Sequence, residues 1–173
     1  MKWLTVILIF ISISVKAPER DFNFEQICKG KLIKEYKGKA ERLLYLECSN
    51  FTESNFKKYL KLKEIPYCEM AIRIAKLETS NFTSKLFKNN NNLFGMHYPY
   101  SRKNCADYYV IADKGRRVSG YSHWTRSVND FILRTEYFEN KGYCIKNFEK
   151  FLVDTRYCEK GSYYLVLLKA VKI

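Results

Sequence analysis

The sequence has few of the residues from which metal sites are built. It contains two histidines, His97 and His123, neither of them close to a cysteine, and no pair of cysteines separated by two residues. Structural zinc sites combine cysteine and histidine ligands at short, regular spacings, so the sequence argues against a zinc site. We expect neither a metal nor a cofactor.

Hydrophobic runs long enough to cross a membrane are also missing. The apolar run from Trp3 to Val15 is too short to span a bilayer comfortably, because a membrane-spanning helix needs about 20 apolar residues. The run follows one lysine and ends in the small-residue site Val-Lys-Ala, the layout of an export signal. We therefore predict a secreted or periplasmic protein with a signal peptide at 1–17, an N-terminal extension at 18–50 and one domain at 51–173.

Acidic side chains are scarce relative to basic ones. Of the 31 lysines and arginines, 29 remain after Lys2 and Lys16 leave with the signal, against 18 acidic residues, so the mature chain carries +11. Such a charge attracts polyanions, among them nucleic acids, anionic lipid headgroups and acidic cell-wall polymers. The basic residues are scattered rather than grouped, which is typical of a solvated surface.

Cysteine, in contrast, is well represented, and every cysteine follows the predicted cleavage point. An even number of cysteines in an exported chain predicts an oxidising compartment and three disulfides. Six cysteines allow 15 pairings, so the connectivity stays open, although Cys144 and Cys158 are placed to join neighbouring C-terminal segments. The six are Cys28, Cys48, Cys68, Cys105, Cys144 and Cys158.

Hydrophobic periodicity predicts an α+β fold that is mainly helical, with one small β-hairpin. The hairpin pairs 108–112 with 117–121 around the turn Asp-Lys-Gly. The predicted helices cover 24–46 with a weak break at Gly38, a segment capped by Thr52 or Ser54 that ends at Leu62, 67–78, and three segments marked by apolar residues within 128–135, 148–152 and 163–171.

The helix predicted over 67–78 ends in a carboxylate on its apolar side. Glu78 projects into the sector occupied by the apolar residues, whereas Ile72 falls on the opposite side. Burial penalises a charged carboxylate and raises its pKa, which suits a general acid near neutral pH. The alternative is a helix-end side chain that turns to water. The apolar sector comprises Tyr67, Met70, Ala71, Ile74, Ala75 and Leu77.

A series of motifs resembles a known family. Leu-Glu-Thr at 77–79 is followed by Phe-Thr-Ser at 82–84, Asn-Asn-Leu-Phe-Gly-Met at 91–96, and then Tyr121, Trp124, Ser127 and Asp130. The tripeptide alone carries no weight. The series in this order resembles the glucosaminidase family of peptidoglycan hydrolases, glycoside hydrolase family 73, with its mannosyl-glycoprotein endo-beta-N-acetylglucosaminidase-like domains. The resemblance extends over about 52–172.

The resemblance implies a lysozyme-like domain, with helices around a cleft and a small β-hairpin lobe beside it. It implies that Glu78 is the catalytic acid that protonates the glycosidic oxygen leaving from N-acetylglucosamine. Tyr121 matches the family's hairpin tyrosine, which faces the substrate and is implicated in catalysis. Asn92, Phe94 and Gly95 match the substrate-binding loop, where a glycine allows close backbone approach and a ring stacks on a sugar. The alternatives are a core role for Phe94, which we favour, and cross-strand packing for Tyr121.

Three further positions of the motif suit structural roles. Ser127 and Asp130 match the start of the helix after the hairpin, so we expect them to cap and pack that helix. Trp124 is placed either to line a sugar subsite or to anchor the hairpin against the core, and we favour the second role.

The sequence departs from the family at two points. Many members carry a glutamine in the helix before Leu-Glu-Thr, where this chain has Ile74 or its neighbours, and a second carboxylate in the β-lobe. Here the lobe offers only Asp107 and Asp113, and neither position suits a catalytic base. If neither approaches Glu78, the substrate's own acetamido group, helped by Tyr121, is the better second group.

We predict a secreted hydrolase that cleaves N-acetylglucosaminyl linkages in peptidoglycan or a related glycan and is held on an anionic cell wall by its charge. We expect a monomer with no nucleic-acid partner. One alternative is a catalytically inactive module that binds glycan or cell wall, suggested by the missing second carboxylate and the altered helix before Glu78. The other is a cationic nuclease or membrane-active toxin with His97 and His123 as acid and base.

Overall fold

A computed structural model describes residues 38–112 and 115–173. These ranges contain seven α-helices and one antiparallel pair of strands. The predicted signal peptide, the extension up to residue 37 and two residues of the hairpin turn lie outside them. The helices are α1 (Lys39–Glu47), α2 (Glu53–Leu62), α3 (Cys68–Glu78), α4 (Lys85–Asn90), α5 (Trp124–Glu139), α6 (Phe148–Asp154) and α7 (Gly161–Ala170), and the strands are β1 (Tyr108–Ile111) and β2 (Arg117–Gly120).

Side-chain caps fix where several helices begin. The hydroxyl of Thr52, one of the two predicted caps, accepts a hydrogen bond of 3.0 Å from the amide of Asn55 at the start of α2. The Asn147 side chain accepts from the Lys150 amide in the same way at the start of α6, also at 3.0 Å. Such caps satisfy amides that have no partner inside the helix, so the sequence determines these helix starts locally.

The core forms where α5 packs against α2, with α3 held between α2 and α7. Trp124, Val128 and Phe131 of α5 are almost fully buried, as are Phe56 and the neighbouring apolar residues of α2. The apolar sector predicted for α3 is correct for Ala71, Ile74 and Ala75, which are buried, but Ile72 on the opposite side is buried too. A helix covered from two sides buries more than one stripe, which periodicity alone does not indicate.

The predicted hairpin is confirmed, with Tyr108 opposite Gly120 and Ile111 opposite Arg117. The loop before it also pairs with β2, because the Ser119 amide donates to the Met96 carbonyl at 2.9 Å and the Tyr98 amide donates to the Arg117 carbonyl at 3.0 Å. The mainly helical α+β fold is thus confirmed. The hairpin is tied to the loop that carries the Asn-Asn-Leu-Phe-Gly-Met motif.

Three disulfides are not found. Cys68, Cys105, Cys144 and Cys158 carry free thiols, so Cys144 and Cys158, which are placed to join neighbouring segments, are not joined. Cys48 is not among these thiols, and Cys28 lies outside the described ranges. An even cysteine count makes pairing available, but a bond also requires two Cα atoms within about 7 Å. None of the helices described is long and apolar enough to cross a membrane.

Candidate active site

Glu78 is the last residue of α3, and a tight left-handed turn follows it. The buried Thr79 fixes this turn, because its hydroxyl donates to the Ala75 carbonyl at 2.5 Å and accepts from the Phe82 amide at 2.8 Å. The three residues at 80–82 all have positive φ angles, of 51°, 56° and 65°. Such backbone is costly for residues other than glycine and is concentrated at functional sites. The turn ends the helix with its final carboxylate facing a cleft.

The cleft has a volume of about 840 Å³ and Glu78 forms part of its wall. The loop that carries the Asn-Asn-Leu-Phe-Gly-Met motif forms one side, and the C-terminal half of α5 forms another with the turn between α6 and α7. A cleft of this volume lies within the range of ligand-binding sites in proteins. Its lining residues are Glu78, 94–97, 99–102, Arg116, Arg134, Tyr137, Phe138, Lys141 and 155–160.

Two close contacts fix the carboxyl group of Glu78. The Tyr164 hydroxyl, from α7, donates a hydrogen bond of 2.6 Å to Oε1. The backbone of Gly95 lies against the other oxygen so closely that a Cβ added there would be 2.4 Å from Oε2. Burial raises the pKa of Glu78, and the Tyr164 hydrogen bond offsets only part of that rise. The carboxyl group therefore keeps its proton to higher pH than an exposed glutamate does.

The C-terminal helix that supplies Tyr164 is fastened to the helix that supplies Glu78. Arg73 of α3 donates to the carbonyl oxygens of Leu168 and Lys169 at 3.3 and 3.4 Å, and also to that of Val171. These carbonyls lie at the C-terminal end of α7, where backbone acceptors run out of donors within the helix. The two helices are thereby held in register, so the hydroxyl and the carboxyl stay within hydrogen-bonding distance.

Sequence reasoning missed Tyr164 and the nearby Tyr157. The Tyr157 hydroxyl donates to the Phe94 carbonyl at 2.6 Å and so links the turn after α6 to the motif loop. The resemblance covered both tyrosines but assigned them no role. Buried tyrosines require a partner for the hydroxyl, yet nothing in the sequence says which atom, 63 or 86 residues away, is that partner.

The three predicted substrate-binding residues have different positions. Asn92 is 1% exposed and does not line the cleft; its side chain closes the loop by bonding to the Met96 amide and carbonyl and to the Ser119 carbonyl. The Phe94 ring is also 1% exposed and stacks on Phe131 at 4.2 Å between ring centroids. Its core role, which we favoured, agrees with this position, because a buried ring cannot stack on a sugar. Gly95 alone borders both the cleft and Glu78.

Tyr121, the predicted second catalytic residue, does not reach the cleft. It is 1% exposed, and its hydroxyl donates to Asp130 Oδ2 at 2.6 Å. Burial and the negative charge of Asp130 raise the pKa of Tyr121, so the phenol stays protonated. The carboxylate of Asp130 also pairs with Arg102 at 2.7 Å, and Ser127 accepts from the Leu93 amide at 3.0 Å. These residues of the motif therefore form buried contacts that hold Arg102 and the loop at Leu93 in position beside the cleft.

The remaining candidates for acid–base chemistry lie apart. Asp107 pairs with Arg126 at 2.8 Å outside the cleft. The second predicted lobe carboxylate, Asp113, lies outside the described ranges. Besides Glu78, the carboxylate that lines the cleft in the described chain is that of Glu159, which is exposed.

The two histidines are not brought together. His97 lines the cleft, whereas the half-buried His123 lies away from it and donates through Nε2 to the Ser49 carbonyl at 2.8 Å. The indole N–H of Trp124 donates to the same oxygen at 2.8 Å, so Trp124 anchors the chain before α2 instead of lining a subsite. Burial lowers the pKa of His123, which keeps this imidazole neutral. Within 38–112 and 115–173, no group of three potential ligands is arranged to hold a metal.

Comparison with known proteins gives one match. The family model for mannosyl-glycoprotein endo-beta-N-acetylglucosaminidase, the glucosaminidase model, matches residues 53–172. The matched range includes α2 to α7 and every residue of the cleft wall. No curated protein and no solved structure shows significant similarity to the chain.

Proposed function

The chain belongs to the glucosaminidase family, and from this premise we propose that it is a secreted hydrolase that cleaves N-acetylglucosaminyl linkages in peptidoglycan, with Glu78 as the general acid. One observation carries the proposal: a carboxyl group with a raised pKa lies in the wall of a cleft about 840 Å³ in volume, with Oε1 held by the Tyr164 hydroxyl and Oε2 beside the Gly95 backbone. A general acid requires a proton to give and a fixed direction of donation; burial favours the protonated carboxyl group, and the Tyr164 hydrogen bond orients it.

In the proposed reaction, Glu78 gives its proton to the glycosidic oxygen as the bond between that oxygen and the anomeric carbon breaks. Positive charge then develops on the sugar ring. The proton donor must be Oε2, because Oε1 already receives the Tyr164 hydroxyl. Gly95 leaves Oε2 accessible by having no side chain there.

For the second group we propose the acetamido group of the substrate itself. Asp107 is paired outside the cleft, and Glu159 lies at its exposed edge, so neither is arranged as a fixed nucleophile. The acetamido carbonyl oxygen bonds to the anomeric carbon as the leaving oxygen departs, forming an oxazoline. Water then adds to the anomeric carbon as the bond from that carbon to the acetamido oxygen breaks, which restores the acetamido group. One proton of the water passes to the Glu78 carboxylate, and the two successive displacements leave the product with retained configuration. Tyr121, buried behind the cleft, has no direct part in this scheme.

The ends released from cell walls test the proposed bond. After digestion of purified sacculi, borohydride reduction and mass analysis, we expect N-acetylglucosamine at the new reducing ends, with the β-anomer formed first in NMR spectra of the fresh products. Reduced muramic acid would instead mean muramidase chemistry, and new amino termini would mean amidase chemistry. An α-anomer formed first would contradict acetamido assistance and favour a water activated by a carboxylate.

Tyr164→Phe is expected to shift the pH dependence of cleavage. Removal of a donor to the carboxylate raises the pKa of Glu78 further, so the alkaline limb of the pH–rate profile moves to higher pH. Loss of orientation is expected to lower the maximal rate by about tenfold. Tyr163→Phe is the matched control, because Tyr163 is the preceding residue on α7 and is 59% exposed. A limb that moves equally in both variants, or in neither, would contradict the role of Tyr164.

The nuclease alternative loses its structural basis, since His97 and His123 lie in different environments. The inactive-module alternative rests on the missing second carboxylate and on the altered helix before Glu78. Acetamido assistance removes the need for that carboxylate.

A further inference from the structure

One wall of the cleft carries positive charge without matching negative charge. We call Arg134, Lys141, Arg156 and Lys160 the basic wall; all four line the cleft along the end of α5 and the turn between α6 and α7. Among the described residues, none of the four forms an ion pair with a carboxylate. Arg102 also lines the cleft but is neutralised by Asp130 at 2.7 Å. The basic wall therefore presents its charge to whatever occupies the cleft.

Arg134 is the buried member of this wall, at 9% exposed. Its Nη2 donates to the carbonyl and hydroxyl oxygens of Thr155, while the guanidinium packs over the rings of Phe138 and Tyr157 at 4.7 and 4.8 Å. Its Nη1 is buried and has no hydrogen-bond partner in the described part of the chain. A buried cation without a counter-charge is destabilising. The position of Arg134 beside the cleft therefore points to an anionic ligand that supplies the missing charge and hydrogen-bond acceptor.

Contacts around Arg134 and Lys141 hold part of the basic wall in place. The hydrogen bond to Thr155 connects Arg134 of α5 to the turn that carries Arg156. Just after α5, the Lys141 ammonium lies 4.4 Å from the centre of the Tyr137 ring. Guanidinium groups are suited to planar oxyanions, and carboxylate is the oxyanion that peptidoglycan stem peptides carry. These peptides leave the strand at the sugar next to each N-acetylglucosamine, so their carboxylates lie close to the bond that is cut.

On the basis of the proposed function, we propose that the basic wall is a subsite for stem-peptide carboxylates, so that the protein prefers strands whose peptides carry free carboxylates. The subsite deepens the proposed function by naming which form of peptidoglycan is the substrate. Glu78 does not oppose such a ligand as long as its own carboxyl group is protonated. The exposed Glu159 is the one negative side chain on the adjoining segment of the wall.

The test compares two forms of one substrate: purified sacculi, and the same sacculi after carbodiimide coupling of their carboxylates to ethanolamine. We expect kcat/KM on the free form to exceed that on the blocked form by about tenfold at low salt. The preference is expected to fall in about 1 M NaCl, where screening reduces the Debye length to about 3 Å. In Lys141→Gln/Arg156→Gln the preference is expected to approach unity, since both side chains are exposed and both line the cleft.

The control is Lys58→Gln/Lys88→Gln, which removes the same charge from exposed positions outside the cleft and is expected to keep the wild-type preference. Equal rates of the wild-type protein on both forms, or a preference unchanged in Lys141→Gln/Arg156→Gln, would overturn the subsite. Cleavage of neither form would count against the proposed function instead. In that case, co-sedimentation of the wild-type protein with the two sacculi still decides the subsite, because the preference is then read as binding.

Discussion

Glu78→Gln is expected to reduce glycan cleavage by about 10²- to 10⁴-fold, the usual contribution of a general acid. Glutamine keeps the size of the side chain and still accepts the Tyr164 hydrogen bond, but it has no acidic proton to give to the leaving oxygen. The measurement is the release of reducing ends from purified sacculi, with zymography on whole walls as a second readout. A variant that cleaves at the wild-type rate would refute the assignment of the acid.

The same substitution should raise stability at neutral pH, which separates loss of chemistry from loss of fold. Because burial raises the pKa of Glu78 in the folded state, its contribution to stability is full below the pKa of the unfolded chain and is lost as pH rises through the folded-state value. Glutamine carries no charge to desolvate, so the melting temperature of the variant relative to the wild type should rise as pH increases through this range and reach its full gain above it. A variant that melts lower at every pH would mean that its inactivity reflects misfolding.

Glu159→Gln is the matched control for charge, since Glu159 also lines the cleft but is exposed. If the acetamido group supplies the second step, this variant keeps its activity within about tenfold of the wild type. A loss as large as that of Glu78→Gln would make Glu159 the second catalytic carboxylate and would contradict acetamido assistance.

The part of the site that could be predicted from the sequence is the part set by local chemistry. Periodicity placed Glu78 on the apolar side of α3, and the structure partly buries it at the end of that helix. The hairpin followed from strand alternation around a turn, and the start of α2 followed from the cap at Thr52. Each of these features depends on residues within a few positions of one another.

The rest depends on contacts between distant parts of the chain. The resemblance implies that Tyr121 faces the cleft. Its hydroxyl turns inward instead, because Asp130 in the first half of α5 offers a buried acceptor. Asn92 was expected to touch substrate, but its amide completes hydrogen bonds of the loop and of β2. A motif identifies residues that the family shares. Only the packed structure distinguishes the residues that support the site through buried hydrogen bonds from the residues that line the cleft.

Gly95→Ala is expected to lower kcat/KM by about 100-fold, because displacement of a catalytic group by about 1 Å has a cost of that size. The new methyl group would lie 2.4 Å from Oε2 of Glu78, and the backbone there has a φ of +60°, so either the loop or the carboxyl group must move. A left-handed alanine also costs roughly 1–2 kcal/mol of stability.

Gly142→Ala is the control that separates strain from contact. Gly142 has a φ of +90° and a Cβ there meets nothing within 4 Å, so the substitution brings the backbone cost without touching the carboxyl group. Both variants should therefore lose stability in thermal unfolding, but only Gly95→Ala should lose cleavage. Equal losses of cleavage in the two would assign the effect to general destabilisation. Wild-type cleavage by Gly95→Ala would contradict the assignment of Oε2 as the proton donor, since Oε2 is the atom that the added methyl group would crowd most.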